Sequence, residues 1–487
     1  MQGFHVEHFG CRAARADGEA VSDRLRAAGH CIQQASKADV VVVNTCSVTA
    51  EADRAARAFI RRTHRLNPEA RIVVTGCYAQ RAPQELAVLA GVAAVVGNSH
   101  KALAPEIILG LVGEGSPPLP QPLVSVNSLL AAGAPIWADD RFAHSFLEEA
   151  QLTPGAQTRP NLKIQEGCGN RCTFCVIPQT RGSSKSLPAE AVLRQVEGFV
   201  AAGGNELVLS GINLGRWGRD LTVAASRDRL SLAGLLREIF EQTALPRLRL
   251  SSVEPMDWDA ELIGLMAEFG GIRLARHAHL PLQSGSDAVL RRMHRRYRPW
   301  HYTEKVTALR AAAGPELTLG ADVMVGFPGE SDAEFEETMA LIRSLPFGYL
   351  HLFPFSPRPG TPGWAMHAER PVPNAAVEER MAALRALAAE KTHAHRKWFV
   401  GKEMQAITLH TPAQLAARGR TAALSENFVP IEIEGRIAAN RLLRVQGSGL
   451  NSEGILEATL EFPAGVVPNS QLDRPLLTKT GGSAEQS

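Results

Sequence analysis

Three cysteines, Cys168, Cys172 and Cys175, fall within the ten-residue stretch EGCGNRCTFC. Thiolates spaced this closely can grip one soft metal centre from a single loop. A tetrahedral zinc site takes four ligands, usually from two C-x-x-C knuckles or added histidines. No fourth cysteine and no histidine stands near this triplet in sequence. A [4Fe–4S] cubane also ordinarily takes four thiolates. Three would leave one iron open, a place where substrate or cosubstrate can coordinate. An open cubane is the reading that uses all three residues; half a zinc site and chance clustering are the alternatives.

Cys11, Cys46 and Cys77 form a second group, far apart in sequence but alike in context. Each follows a short β-like run: HFGC, VVVVNTC and RIVVTGC. In a parallel sheet all strands end on one edge, where ligands bind, so these thiols would converge there. Separate buried thiols are the plainer alternative. The seventh cysteine, Cys31, follows a helical pattern in AAGHC and reads as a small packed residue.

The elements that must position these groups follow from pattern. Strand-like FHVEHF, DVVVVNT, RIVVTG and VAAVVGN alternate with helical stretches at 16–28 and 51–66, which predicts a doubly wound parallel sheet over residues 1–115. There is no G-x-G-x-x-G after the first strand, so no dinucleotide site is expected. Residues 116–160, with GSPPLPQPLVSVNS, read as an interdomain linker with room for some structure of its own. Over 161–390 six strands are predicted, at 162–165, 206–210, 247–251, 277–282, 317–325 and 349–355, alternating with helical patterns. Six βα units make a partial (β/α)6 barrel with its chemistry at the carboxyl ends of the strands, and the cysteine triplet follows the first of them. A polar helix at 377–398 leads to short strands at 398–462 that predict a small β-barrel. Residues 463–487 are expected to be a disordered tail. The fold class is therefore multidomain α/β.

Composition bounds the partners. The chain has 487 residues, 45% hydrophobic, ample for several cores. A net charge of +2 excludes a polycation, so nucleic acid would have to be held by local patches. No apolar run is long enough to span a membrane and the first residues lack a secretory layout, so a cytoplasmic protein is expected. Seven cysteines in a reduced compartment favour metal ligation over disulfides.

The segment GCGNRCTFC, followed by VIPQTRG, resembles the cluster motif of the radical S-adenosylmethionine (SAM) enzymes. ELVLSG resembles their second-strand motif, which implies that Ser210 and Gly211 lie near the methionyl amine. HLPLQSGSD resembles a ribose-contact strand and points to Gln283. DVMVGFPGE resembles the fifth-strand motif, with Asp322, Gly326 and Glu330, and FPFSPRPGT a sixth-strand segment near adenine that includes Phe353. The whole layout, with Cys11, Cys46 and Cys77 ahead of the barrel and a TRAM-like β-barrel after it, is similar to the methylthiotransferase family over residues 1–462. RLRLSSVEP, SGINLGRWGRDL and RRMHRRYR look most like the type that acts on N6-threonylcarbamoyladenosine in tRNA. The resemblance implies two [4Fe–4S] clusters, one binding SAM and releasing a 5′-deoxyadenosyl radical, the other presenting sulfur. One SAM would methylate that sulfur and another would generate the radical, and C2 of the adenine would receive the methylthio group. No acid–base pair is needed, and none is assigned.

The implied partners are a tRNA anticodon stem-loop, an electron donor such as a flavodoxin or ferredoxin system, and a sulfur donor. Two arginine runs could meet phosphates: Arg54, Arg57, Arg61, Arg62 and Arg65, and Arg291, Arg292, Arg295, Arg296 and Arg298. Simple solvation is the alternative. Over 398–461 six Lys/Arg stand against seven Asp/Glu, which is not an obvious RNA surface. Ser251, Ser252 and Glu254 at a strand end are candidate contacts for substrate or SAM, or a polar turn. Competing functions are the same chemistry on isopentenyladenosine or on a ribosomal-protein aspartate, and a non-catalytic RNA-binding protein with structural zinc.

Overall fold

The computed structural model describes residues 3–10, 12–112, 133–142, 145, 147, 152, 158–221 and 230–460. Cys11, residues 463–487 and most of 116–160 lie outside the described residues.

The amino-terminal part is a six-stranded sheet, all parallel, in the order Cys31–Ile32, Gly3–His8, Val40–Thr45, Arg71–Gly76, Val92–Gly97, Ile136–Trp137. The valine run explains its double winding, because successive side chains point to opposite faces. Val41 and Val43 pack with Ala56, Phe59 and Ile60 of helix Ala50–Leu66. Val40 and Val42 pack with Val21 and Leu25 of helix Arg12–Ala27 and with Ile107 and Ile108 of helix Ala104–Val112. Each fully buried valine contributes roughly 1.5–3 kcal/mol. The last strand falls inside the segment expected to be a linker: Ile136 and Trp137 pair with Val95 and Val96, and Trp137 is buried.

The central part carries six parallel strands, Asn161–Glu166, Glu206–Gly211, Arg247–Leu250, His277–His279, Thr318–Val325 and Phe347–Pro354. The first three and the last three form separate sheets, joined by isolated bridges such as Leu248–Leu274 and Ser252–His279. This is the expected partial barrel, with helices packed outside it over a large apolar core. Helix Asn374–Trp398 runs from it to a closed five-stranded barrel in the order Glu403–Thr408, Arg420–Ser425, Pro430–Glu434, Leu456–Leu460, Leu442–Leu450.

The small barrel docks under the amino ends of the central strands. Arg247 Nη2 donates to Gln405 Oε1 at 3.0 Å, Arg249 Nη2 to the Ser425 carbonyl at 3.1 Å, and Arg276 Nε to Glu426 Oε1 at 2.7 Å. The Phe428 ring stacks on His277 at 4.4 Å. Among the described residues, no helix is long and apolar enough to cross a membrane.

Candidate active site

The triplet loop is built by close approach of backbone. Gly167 has φ +69°, and a Cβ there would lie 1.9 Å from the Ser183 carbonyl oxygen, so only glycine fits. Cys168 N donates to the Gly182 carbonyl at 3.0 Å and Cys175 N to that of Cys172 at 3.1 Å. Thr173 ties the loop to the segment after helix Asp287–Arg292, its N–H reaching the Met293 carbonyl and its hydroxyl the Arg292 carbonyl. The thiols sit at the carboxyl end of the first barrel strand. Burial pushes the Cys175 thiol up to about 12, with further raising from Cys172 and Cys168 beside it. Burial also raises Cys168. Thiols of this kind ionise when a metal takes the proton's place.

Donors point at these sulfurs. Asn170 N lies 3.4 Å from Cys168 Sγ, Asn213 Nδ2 3.6 Å from the same sulfur, and Arg295 Nη1 3.3 Å from Cys172 Sγ. Arg295 is buried and also bonded to Glu254. Around them stand buried polar atoms for which the protein supplies no hydrogen-bond partner: Ser210 Oγ, Asn213 Oδ1 and Gln283 Oε1. A soft cluster with a polar cosubstrate is the kind of group these donors fit.

The other candidate residues have definite surroundings. Gly211 ends the second barrel strand, where a Cβ would press on Gln165. Gln283 holds φ +63°. Glu330 is buried, accepting from Gly326 N at 2.7 Å and Arg380 Nη1 at 3.0 Å, so its carboxylate fixes the Gly326 turn, where φ is +77°. Phe353 and Phe174 of the cysteine loop both pack against the buried cluster of Val289, Met293, Met324 and Phe327. Asp322 lies between His279 and His351. Ser252 pairs with His279, and Glu254 with Arg295.

Of the second group, Cys46 and Cys77 lie at strand ends of the amino-terminal sheet, and Cys77 contacts the barrel through Arg181. Thr45 and Gly76 are register partners, so Cys46 and Cys77 leave adjacent strands side by side. Both are buried. Cys11 is outside the described residues, but its neighbour Gly10 abuts Cys46: a Cβ on Gly10 would lie 2.1 Å from Cys46 Cβ. Cys31 is half-buried on the edge strand, paired with Gly3 at the other end of the sheet. Cys77 Sγ accepts from Asn98 Nδ2 at 3.4 Å and from Arg181 Nε at 3.2 Å. Arg181 belongs to the short helix that follows the cysteine loop of the barrel. Its Nη1 donates to Glu166 at 2.7 Å and Asp17 at 3.0 Å, in a buried network completed by Lys101 and Lys163. Burial alone would raise Glu166, yet Arg181, Lys101 and Lys163 hold it well below the carboxylate range. Arg358, from beyond the last barrel strand, pairs with Asp53 behind Cys46, and Ala50 N donates to Ser356 Oγ at 3.0 Å.

The arginine runs divide. Arg54, Arg61, Arg62 and Arg65 are exposed on their helix, while Arg57 bonds the Tyr78 hydroxyl. In the second run Arg292 is engaged by Glu334, Arg295 by Cys172 and Glu254, and Arg298 by backbone carbonyls and Asp287; Arg291 and Arg296 are exposed while pairing with Asp287 and Asp257. Sequence reasoning passed over Asn98, Arg181 and Asn213 as sulfur donors and read Arg295 as a phosphate contact. Arg181 stands within the quoted VIPQTRG and Asn213 within SGINLGRWGRDL, which were the available signals.

The architecture and the cysteine loop define a radical SAM enzyme. Residues 162–342 match the Radical SAM superfamily, and residues 3–97 match the uncharacterized protein family UPF0004. The threonylcarbamoyladenosine tRNA methylthiotransferase MtaB of Thermotoga maritima is 31% identical over 96% of this chain and 99% of its own. The tRNA-2-methylthio-N(6)-dimethylallyladenosine synthase of Erythrobacter litoralis is 32% identical over 91% and 94%. The chain belongs to the radical SAM methylthiotransferase family and is an enzyme of that family. A radical SAM methyltransferase from Kitasatospora setae, solved with cobalamin and a [4Fe–4S] cluster, shares the fold at a TM-score of 0.54 and 16% identity, covering 75% of this chain and 77% of that one.

Proposed function

We propose that the chain adds a methylthio group to C2 of N6-threonylcarbamoyladenosine 3′-adjacent to the anticodon of tRNA, using two [4Fe–4S] clusters. The observation that carries this reading is the convergence of Cys46 and Cys77, through Arg181, on the barrel's cysteine loop. Cys168, Cys172 and Cys175 would hold one cluster, and Cys11, Cys46 and Cys77 the other. When bound, the first supplies the electron that cleaves SAM and the second an open iron for the sulfur to be transferred.

The chain's own residues position and tune these groups. Asn213 and Arg295 donate to sulfurs of the barrel triplet, and Asn98 and Arg181 to Cys77. Ser210, Gly211 and Gln283 line the space for SAM, with Phe353 as an apolar wall. Asp322 shapes the facing strand, and Glu330 does so through the Gly326 turn. Holding donor, radical source and nucleoside together is catalysis by positioning. The exposed arginines of helix Ala50–Leu66 would meet tRNA phosphates, and a flavodoxin or ferredoxin would reduce the clusters.

The relative that acts on dimethylallyladenosine is about as similar, so the nucleoside is the point to test. Nucleosides of bulk tRNA from a deletion strain should lack 2-methylthio-N6-threonylcarbamoyladenosine and retain the unthiolated form. An unchanged profile, or loss of the dimethylallyl product instead, rejects the assignment.

A further inference from the structure

In the partial barrel, three side chains from three adjacent strands converge: His279, Asp322 and His351. Their ligand atoms all lie within 4.8 Å of one another. We propose that His279 Nε2, Asp322 Oδ1 and His351 Nδ1 bind a divalent transition-metal ion of the zinc class, with a fourth position left to an oxygen donor.

Three observations carry this. The first is spacing. Asp322 Oδ1 is 3.5 Å from His279 Nε2 and 3.3 Å from His351 Nδ1. Hydrogen bonds from nitrogen to oxygen cluster near ~2.9–3.0 Å, so both contacts are long for that role. They match the edge of a ligand tetrahedron, which is about 3.3–3.4 Å for metal–donor bonds of ~2.0–2.1 Å. The second is a buried nitrogen without a short partner. His279 is 5% exposed, and the contact of its Nε2 with Asp322 Oδ1 is 3.5 Å. The third is support behind the ligand. His279 Nδ1 is 2.7 Å from Ser252 Oγ, the outer hydrogen bond that orients a metal-binding imidazole.

The geometry also sets the direction of access. The side chains of Asp322 and His351 are 26% and 60% exposed, against 6% for His279. The open coordination position therefore faces the barrel opening, not the apolar shell. Two imidazoles and one carboxylate favour zinc or iron(II) over magnesium or calcium, which prefer oxygen donors. A cation there could take water or a carboxylate oxygen entering the barrel. This inference goes beyond the proposed function and does not need it, because metal content is read without turnover.

The test uses the full-length chain, purified without oxygen, reconstituted with iron and sulfide, stripped with a chelator and equilibrated with zinc(II). About one zinc per chain is expected, with nitrogen and oxygen scatterers at ~2.0–2.1 Å and no sulfur shell near ~2.3 Å in the zinc X-ray absorption spectrum. His351→Ala removes an exposed ligand and should weaken zinc binding at least tenfold with iron content unchanged. Ser252→Ala should weaken it by about tenfold through the lost outer hydrogen bond. Absence of zinc after equilibration, a sulfur shell around the bound zinc, or zinc affinity untouched by His351→Ala would each overturn the site.

Discussion

Glu206→Gln would leave two guanidiniums buried beneath the central barrel without their counter-charge. Glu206 is fully buried. Its Oε1 accepts from Arg249 Nε at 2.9 Å and lies 3.5 Å from Arg159, and its Oε2 accepts from Arg247 Nη1 at 3.2 Å. Burial by itself raises a carboxyl, but Arg249, Arg247 and Arg159 reverse that and bring Glu206 from 4.5 to about 2. At ~1.4 kcal/mol for each tenfold change in acidity, the ionised form gains roughly 3 kcal/mol on folding. A second route agrees, since breaking one side of a buried ion pair typically costs about 3–5 kcal/mol. For a domain of this size a loss of ~3 kcal/mol lowers Tm by roughly 6–12 °C. The same arginines bond Gln405 and Ser425, so the undocking of the small barrel should accompany the loss. The pH dependence has a definite sign. The folded value is depressed, so the stabilisation is complete above the unfolded value of 4.5 and is lost as pH falls through about 2. The variant should therefore lag the parent most at neutral pH and converge with it in acid. Urea unfolding followed by tryptophan fluorescence, to which the buried Trp217 and Trp258 of the central barrel contribute, measures the loss. A deficit under ~1 kcal/mol at pH 7, or one that persists unchanged toward pH 2, would refute the reasoning.

Three further outcomes are expected. Cys77→Ala should lower iron from about eight to about four per chain while SAM cleavage continues and methylthio product disappears, read by iron assay and nucleoside analysis; retention of eight irons contradicts the ligand set. Arg295→Gln removes an N–H donor to Cys172 Sγ and a buried positive charge, so the midpoint potential of the barrel cluster should fall and SAM cleavage should slow by at least about tenfold, measured by redox-poised electron paramagnetic resonance and 5′-deoxyadenosine release. Burial, with Arg310 and Arg396 nearby, takes His395 from 6.5 down to about 4, so the unfolded chain binds its proton first. Stability should fall by up to about 3 kcal/mol as pH drops from 6.5 through 4, and His395→Asn, which can still face Thr318 Oγ1, should flatten that slope in urea titrations.

Much of the fold was legible because its signals are local. The valine run Val40–Val43 has one explanation, a strand buried on both faces, and it recurs with the same spacing at Ile72–Val74 and Ala94–Val96. The cysteine loop carries its own spacing and its own glycine. Within the segment 116–160, two residues, Ile136 and Trp137, suffice to extend a sheet when a neighbouring strand offers its free edge. Such pairing depends on the partner strand and leaves almost no trace in composition.

Arg295 shows the limit most clearly. Among five arginines in RRMHRRYR and its flank, nothing in residue type separates the one that bonds a cysteine sulfur from those that face solvent; the turn after helix Asp287–Arg292 makes that choice. By itself the sequence determined which residue types were available, where strands begin and end, and that Cys168, Cys172 and Cys175 share one loop, because those properties arise within a few neighbouring residues. Only the tertiary structure decided that Arg181 bridges toward Cys77, that the small barrel closes the floor of the larger one, and that His279, Asp322 and His351 share one point in space. Each of those joins residues tens to hundreds of positions apart, and their meeting is set by how whole sheets pack.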